Sequence, residues 1–504
     1  MRIALLPLDE RPVNTQLPQQ VAAAAGGQLD LPPTTAMPAQ RKPADTTAIA
    51  DWLTEVEKNV DALVVSIDLL AHGGLIPSRL GPESAGPALA RLDLLRGIRR
   101  RRPELPILGF SVLLRASDSY IATEEPEYWP AVGRELHRLG AELHEDYLAR
   151  LAGGTGRPVG AGIPAGDRAD FVRRRIRNHQ VNLEAVRLLG EGVLDCLLLT
   201  VDDTAPRSYG ALEQDWLRHW GTALGIDRPL LLYAGADEVG AILVARSATI
   251  ANRREVRFRV HCVEGDGLAR IPKYENSPLD RSLDAQLRAA GALRVVEGDA
   301  DIALVVHAPD PAIGDWCAAE PPAETPAALV DETAAALGRL AGQIPVALAD
   351  LRFSNGGDPA LVGKLASAGL LKELSAYGGW NTSGNALGGV VAQAQAEALG
   401  GRGAASRVGL LTRLLDDHLY QTVVRPNVAR RLALGEDGVI RDRTTLASVT
   451  REIQDALCAG IGTVDPDGLI RRTIMPAATV APRVSLPWQR LFEVRIDLRD
   501  DERW

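Results

Sequence analysis

The sequence predicts an α/β fold, with a TIM-type (β/α)8 barrel as first choice and two doubly wound α/β lobes as the alternative. Short runs rich in Val, Ile and Leu alternate along the chain with longer Ala/Leu/Arg/Glu-rich stretches of helical periodicity. Apolar runs that alternate with helices are typical of a parallel sheet that is covered on its faces. About eight strong runs fit a barrel, whereas ten runs fit two lobes.

The strands are predicted from these runs, in chain order. The strong ones are residues 3–8, 62–67, 107–114, 194–201, 230–234, 256–263, 302–307 and 346–351, and the weaker ones are 29–31 and 374–377. The helical stretches between them include 88–101, 129–151, 167–189, 212–224 and 325–341. The helix just before the fourth strong strand carries four arginines, which we expect on a solvated or ion-paired face: Arg173, Arg174, Arg175 and Arg177.

The alternation of apolar strand-like runs with helical stretches ends near residue 399. Helical stretches are predicted at 410–434 and 446–459, and a last strand within 491–498. A chain of 504 residues exceeds what one hydrophobic core usually supports. We therefore expect an α/β catalytic domain over residues 1–398 and a smaller C-terminal α+β region over residues 399–504.

Composition and charge exclude several classes of partner. With 46% hydrophobic and 24% charged residues the chain is globular, and its net charge of -9 argues against nucleic acid or an anionic membrane surface as partner. The apolar N-terminus reaches Asp9 too early for a signal peptide, and no run is long enough to span a membrane. The four cysteines are far apart and form no C-x-x-C pair. We expect a cytoplasmic protein and leave open whether it forms a homo-oligomer.

The most informative stretch is the fourth strong strand, which runs directly into Asp202-Asp203-Thr204. Asp is a poor strand former and is rarely buried without a partner. Two adjacent carboxylates are best tolerated where a strand emerges at an open face, and both predicted architectures place functional groups at the carboxyl ends of their strands. The alternative is that Asp203 or Thr204 caps a following helix.

Most other predicted strands also end in polar residues, and a ring of polar groups describes a site for a small polar ligand. Arg11 offers a bidentate fork, and a Trp380 face in its Gly-rich loop is suited to stacking on a sugar ring. The structural alternatives are ion pairs, turns, a core tryptophan and, for Asp237-Glu238, a helix N-terminus. The candidate substrate-binding residues are Asp9, Glu10, Arg11, Asn14, His72, Arg115, Asp237, Asn355, Asp358, Trp380, Asn381 and Asn385.

The carboxylates Asp202, Asp203 and Glu238 are the candidate catalytic residues. Glycoside hydrolysis needs an acid for the leaving oxygen and a negative group near the anomeric carbon. Adjacent carboxylates in a partly dry site have pKa values that move apart, which supplies both roles. Because neighbouring residues of a strand point to opposite sides, the pair shares one site only if the chain bends at Asp202. If Glu238 instead faces Asp203 at about 5 Å, a conventional retaining mechanism follows.

Histidines give a weaker signal. His72 and His307 end apolar strands, and with Asp9 or Asp350 they provide donor types that bind divalent metals. No ligand spacing supports such a site, so neither a metal nor another cofactor is expected.

Several motifs carry a resemblance over nearly the whole chain. They are Pro7 to Asn14, Asp202-Asp203-Thr204, Gly235-Ala236-Asp237-Glu238, Ile271 to Asn276, Asn355-Gly356-Gly357-Asp358, Gly379 to Asn385 and Pro487-Trp488-Gln489-Arg490. With them the chain resembles a bacterial protein family catalogued as a domain of unknown function, number 4127. The family name implies no activity.

A second resemblance rests on two short motifs. The Asp202-Asp203 pair and Trp380-Asn381 are similar to the carboxylate pair and sugar-holding loop of barrel β-N-acetylhexosaminidases that use the substrate's own acetamido group. This resemblance implies that Asp202 orients the acetamido nitrogen and that Asp203 is the general acid/base. The expected function is an exo-acting β-N-acetylhexosaminidase on a small carbohydrate, with GlcNAc or GalNAc undecided. The alternatives are a retaining glycosidase that uses Asp203 and Glu238, a metal-dependent hydrolase and a sugar-derivative binding protein.

Overall fold

The computed structural model describes residues 1–156, 159–310, 312–318, 321–434, 438–476 and 480–500. Its strands are β1 (Arg2–Leu6), β2 (Gln28–Asp30), β3 (Ala62–Ser66), β4 (Ile107–Leu113), β5 (Cys196–Val201), β6 (Leu230–Ala234), β7 (Arg257–Cys262), β8 (Leu293–Arg294), β9 (Ile302–His307), β10 (Val346–Asp350), β11 (Leu374–Gly378), β12 (Val480–Ser485) and β13 (Arg495–Asp500).

The helices lie mostly between these strands. They are α1 (Pro12–Ala24), α2 (Thr46–Val56), α3 (Ile67–His72), α4 (Leu75–Leu80), α5 (Ala85–Arg101), α6 (Trp129–Leu151), α7 (Ala165–Gly190), α8 (Tyr209–Ala223), α9 (Val239–Asn252), α10 (Leu279–Ala290), α11 (Ala327–Ala341), α12 (Pro359–Ser367), α13 (Ser383–Gly400), α14 (Ala404–Arg413), α15 (Arg425–Leu432), α16 (Arg443–Val464) and α17 (Leu469–Ile474). Within the described residues, no helix is both long enough and apolar enough to cross a membrane.

The chain forms two compact units. Unit 1 contains Met1–Glu10, Leu29–Gly240 and Tyr274–Ser277, and unit 2 contains Arg11–Gln28, Ala241–Lys273 and the chain from Pro278 onward. The chain therefore leaves unit 1 directly after β1, because α1 packs with the helices of unit 2, and returns to it at β2.

Unit 1 is built on a six-stranded sheet with the order β2-β1-β3-β4-β5-β6. The pairs from β1–β3 through β5–β6 are parallel. Since β1 lies between β2 and β3, the chain first adds a strand on one side of β1 and then continues on the other. Such a switch point opens a crevice at the carboxyl ends of the strands, where ligands bind in open α/β sheets.

Unit 2 repeats this strand order. Its five-stranded sheet has the order β11-β10-β9-β7-β8, so the first strand along the chain again lies between the second and the third. All four pairs are parallel. The two sheets thus share the order 2-1-3-4-5, which unit 1 extends by β6, and each has its own switch point.

All ten predicted runs form strands in these sheets, but the predicted TIM-type barrel is not confirmed. Within the described residues the strands make two open parallel sheets and the antiparallel β12–β13 pair, and β2 and β6 are the edges of the largest sheet. The fold is mixed α/β with two parallel sheets, as the alternative expectation had it. Strand β8 was not predicted because it has only two residues, both exposed.

Each unit has its own hydrophobic core. One core joins strands β1, β3, β4 and β5 to the helices of unit 1, and another joins β9–β11 to the C-terminal helices and the β12–β13 hairpin. The predicted boundary at residues 398 and 399 falls inside α13, because the helical C-terminal region shares the core of the second sheet.

The predicted helix over 410–434 contains an unusual segment. Between α14 and α15 the backbone forms a π-helix over Leu414–Val424. π-Helical turns are rare and occur frequently at functional sites. This one carries Asp416, Asp417 and His418, all buried in unit 2.

Candidate functional site

The Asp202-Asp203 pair lies at the carboxyl end of β5, in unit 1. Asp203 has a left-handed backbone with φ 34°, a conformation that costs a non-glycine residue on the order of 1–3 kcal/mol. The bend brings both carboxylates to one guanidinium, because Nη1 of Arg115 lies 2.7 Å from Oδ2 of Asp203 and 3.9 Å from Oδ2 of Asp202. The sequence required a bend at Asp202 for the pair to share a site, and the left-handed residue is Asp203.

The pair belongs to a cluster of two arginines and four carboxylates. Arg79 donates to Asp202 and, at 3.0 Å, to Glu124. Besides Asp203, Arg115 donates to Glu124 at 2.9 Å and to Glu125 at 3.0 Å. Fully ionised, the six side chains carry two positive and four negative charges, so the cluster is anionic.

Asp203 is the more accessible carboxylate of the pair. Its side chain keeps 32% of its exposed surface, against 15% for Asp202. Loss of hydration, reinforced by the negative charge of Asp202, raises the pKa of Asp203 to about 6, although Arg115 and Arg79 oppose the shift. A proton on Asp203 is therefore available near neutral pH and within reach of a ligand.

Neither Asp203 nor Thr204 caps the next helix. The N-cap of α8 is Ser208, whose hydroxyl accepts from the amide of Ala211. Thr204 instead bonds the Ser208 hydroxyl and donates its amide to the carbonyl of Tyr274. The carboxylates of the pair are thus directed to the arginines and not to helix amides.

Sequence reasoning missed three members of the cluster: Arg79, Glu124 and Glu125. Arg79 lies 13 residues after the end of β3, and a turn with positive φ at Gly73 and Gly74 brings its short helix α4 back to the strand ends. The glutamates lie in the loop after β4. An arginine in an otherwise apolar stretch and two adjacent glutamates were the available signals, but their distance along the chain from any strand hid them.

A further buried carboxylate lies beside the same sheet. Asp68, in the first turn of α3 directly after β3, accepts from the amide of Val112 at 2.8 Å and from the Ser111 hydroxyl at 3.3 Å, both on β4. Burial raises its pKa to about 7, against these hydrogen bonds. Asp68 therefore links the ends of β3 and β4.

Glu238 directly precedes α9, as the alternative of a helix N-terminus for Asp237-Glu238 had it. It is fully buried, and its Oε2 accepts from the amide of Ala236 at 3.0 Å. A Cβ on Gly235 would lie 2.5 Å from Oε1 of Glu238, so a side chain there would displace the Glu238 carboxyl group. Burial raises the pKa of Glu238 to about 8, which leaves it protonated at neutral pH. A buried neutral acid is a poor nucleophile, so the retaining alternative lacks support; Asp237 is also buried.

The predicted patch after β1 is divided between the units. Asp9 and Glu10 belong to unit 1, where Glu10 accepts from the amide of Gln40 at 2.7 Å. Arg11 and Asn14 belong to unit 2. There Arg11 pairs with Glu493 at 3.5 Å and lies over the ring of Trp488 at 4.9 Å.

His72 is not at a strand end. It closes α3, and burial, together with the positive charges of Arg177 and Arg91, lowers its pKa to about 3. Among the described residues, no group of three or more His, Cys, Asp or Glu side chains is arranged to hold a metal ion. The metal-dependent alternative therefore has no donor set in that part of the chain.

In unit 2, the Asp358 side chain caps a helix and binds a buried histidine. Its Oδ1 accepts from the amide of Ala360 as the N-cap of α12, and Oδ2 lies 3.0 Å from Nε2 of His307. Burial alone would raise the pKa of Asp358, but the hydrogen bonds with His307, Thr325 and the Ala360 amide, together with the charge of His307, outweigh it and lower that pKa. Asp350 accepts from the Asp358 amide and the Tyr377 hydroxyl, at 2.8 and 2.9 Å.

The asparagines of unit 2 organise two loops. Asn355 donates its side chain to Asp315 at 2.9 Å and its amide to the carbonyl of Asn381. Asn355 and Asn381 both have positive φ, 62° and 74°. Asn385 donates its amide to Thr382, the N-cap of α13.

Trp380 does not present an open ring. It is 5% exposed and packs on Phe492 with ring centroids 5.4 Å apart. It therefore fits the alternative of a core tryptophan beside a helix cap better than that of a sugar-stacking platform.

The chain is thus an α/β protein with two parallel sheets. A cluster of carboxylates and arginines lies at the carboxyl ends of the strands of the six-stranded sheet. The chain belongs to the family described as "Protein of unknown function (DUF4127)", whose model matches residues 3–497. No curated protein and no solved structure matches the chain.

Proposed function

We propose that the chain is a glycoside hydrolase in which Asp203 protonates the leaving oxygen. The observation that carries the proposal is the Asp202-Asp203 pair on its bent strand end, with one partly exposed acid whose pKa is raised and one carboxylate held by Arg79. These are the two groups that glycoside hydrolysis requires.

The charge of the cluster supports the same reaction class. Glycoside hydrolysis passes through an oxocarbenium-like, positively charged transition state. A site with more carboxylates than guanidiniums stabilises such charge, whereas it repels phosphorylated or carboxylated substrates. Arg79 and Arg115 keep the carboxylates in place and cancel only two of the four negative charges of the ionised cluster.

The finer proposal is an exo-acting β-N-acetylhexosaminidase that uses the substrate's acetamido group, with Asp202 orienting the acetamido nitrogen. Asp202 and Asp203 both face the Arg115 guanidinium, which supports a site shared by the two carboxylates. The ring of Trp380 is buried against Phe492 and gives no support to the N-acetylhexosaminidase proposal. The proposed partner is a small N-acetylated sugar at a terminal position, GlcNAc or GalNAc.

The test is a panel of nitrophenyl glycosides with the parent chain and Asp203→Asn. We expect turnover of an N-acetylhexosaminide, activity that falls as pH rises through about 6, and a loss of roughly 10²–10⁴-fold in kcat in the variant. Asp118→Asn is the matched control, since Asp118 is an exposed aspartate in the loop after β4.

Three outcomes separate the alternatives. No turnover of any N-acetylated member by the parent chain contradicts the finer proposal, and no turnover of any glycoside contradicts the hydrolase. Stabilisation by an N-acetylhexosamine thiazoline mimic without turnover indicates a sugar-derivative binding protein. Activity that is lost with a chelator and kept in Asp203→Asn indicates a metal-dependent hydrolase.

A further inference from the structure

Arg175, on α7, was expected on a solvated or ion-paired helix face; it is 4% exposed and pairs with Glu213, so the ion-paired alternative applies to it. A buried guanidinium is costly unless nearly all of its donors are used. Its partners therefore indicate what the residue holds in place.

The partners of Arg175 belong to two segments of unit 1. Nε and Nη2 donate to the two oxygens of Glu213, on α8, at 2.9 Å each. Nη2 also donates to the carbonyl of Leu114 at 2.8 Å, and Nη1 to the carbonyl of Arg115 at 3.3 Å. The guanidinium also lies over the ring of Tyr209, the first residue of α8, at 4.4 Å.

These two segments supply the two halves of the central ion pair. The carbonyls of Leu114 and Arg115 belong to the backbone that carries the Arg115 side chain beyond β4. Helix α8 follows the loop that carries Asp203 beyond β5. Arg175 thus links the backbone segment that carries Arg115 to helix α8, which follows the loop that carries Asp203.

We propose that Arg175 is a positioning residue, which clamps the segment after β4 to α8 and so fixes the distance between Arg115 and Asp203. This inference rests on the proposed function for its catalytic consequence. Its structural part, the coupling of Arg175 to Asp203 through Arg115, can be measured without turnover.

Arg175→Lys tests the clamp. Lysine keeps the charge but has no planar fork, so it cannot hold both Glu213 oxygens and two carbonyls together. On the substrate identified for the parent chain, we expect kcat to fall on the order of 10–100-fold with KM almost unchanged, since small displacements of catalytic groups have effects of this size. Glu213→Gln, which keeps the shape of the partner, should show a smaller loss in the same direction.

The pH profile distinguishes positioning from a general loss of stability. Burial raises the pKa of Asp203 most; among its charged neighbours, Asp202 and Glu124 also raise that pKa, and Arg115 and Arg79 lower it. If the Arg115 contact loosens in Arg175→Lys, the pKa of Asp203 rises and the alkaline limb of kcat/KM moves to higher pH.

Arg407→Lys is the matched control. Arg407 is an equally buried arginine in unit 2, which pairs with Glu397 and holds the carbonyls of Lys372 and Leu374 at the start of β11. It should lose stability in the same way, while the pH profile stays where it is in the parent chain.

A readout that does not need activity keeps the two proposals apart. The difference in unfolding free energy between Asp203 and Asp203→Asn, measured against pH, levels off above the folded-state pKa of Asp203. In the Arg175→Lys background we expect this plateau at higher pH, and in the Arg407→Lys background at the parent pH. A folded Arg175→Lys chain that behaves like Arg407→Lys would overturn the clamp. No turnover by the parent chain overturns only the hydrolase.

Discussion

At the scale of single residues, carboxylates with raised pKa values do different work according to their access to solvent. Asp203 is partly exposed beside Asp202, whereas Asp68 and Glu238 are buried, each accepting a backbone amide. A raised pKa therefore identifies a candidate general acid only where the carboxyl group is also accessible to solvent and has a neighbouring group that a substrate can contact as well. By this criterion Asp203 is the one of the three that fits a general acid.

Glu238→Gln gives a prediction on stability. The pKa of Glu238 is raised to about 8 in the folded state from 4.5 in the unfolded chain, so its contribution to stability is complete below about pH 4.5 and is lost as pH rises through 8. Gln is neutral and of the same shape. We expect thermal melts in which the variant matches the parent chain near pH 4.5 and melts several degrees higher at pH 8.5.

The exposed Glu255 supplies the control for this comparison, since Glu255→Gln should follow the parent chain at every pH. Equal melting temperatures of Glu238→Gln and the parent chain at pH 8.5 would contradict a buried protonated Glu238.

At the scale of elements, the ends of helices decide which polar residues are structural. Asp358 looked like a site residue in its Gly-containing loop, yet it begins α12 and binds His307. The π-helix over Leu414–Val424 shows the opposite case, an element that did not look unusual in the sequence. Its sequence predicts an ordinary helix, but it brings Asp417 to the amide of Gly379, after the end of β11.

Asp358→Ala should therefore cost more than the loss of an ordinary N-cap. The matched control is Asp442→Ala, because Asp442 is an exposed N-cap that accepts from Thr445. We expect the control to lose about 1 kcal/mol of unfolding free energy. Asp358→Ala should lose about 1–3 kcal/mol more, since it leaves His307 buried without its partner. Urea unfolding at neutral pH measures both, and equal losses would show that the His307 contact adds no stability.

At the scale of the whole molecule, the two units share the strand order 2-1-3-4-5, but each unit has its own hydrophobic core. Leu199 on β5 and Leu348 on β10 occupy these two cores, and both are fully buried. Packing defects spread through contacts within a core, so a cavity in one unit should leave the other largely protected.

Leu348→Ala and Leu199→Ala test the independence of the units. Each substitution should cost roughly 2–5 kcal/mol in the unit that carries it. Hydrogen exchange followed by mass spectrometry should then show faster exchange in the peptides of the altered unit only. Faster exchange throughout the chain in both variants would indicate a single cooperative core.

The sequence by itself determined the strands and the strand-end carboxylates. Ten of the eleven strands in the two parallel sheets were predicted, because short runs rich in Val, Ile and Leu between helical stretches favour buried strands. Asp202-Asp203 was identified because two carboxylates at the end of a buried strand are unusual. Only the tertiary structure decided that the strands form two open sheets, since strand order depends on crossovers that no local pattern records. It also decided that Arg79, Glu124 and Arg175 reach Asp203 or its support, because each lies far from Asp203 along the chain. Burial separated Asp203 from Glu238, since solvent access depends on packing from distant segments.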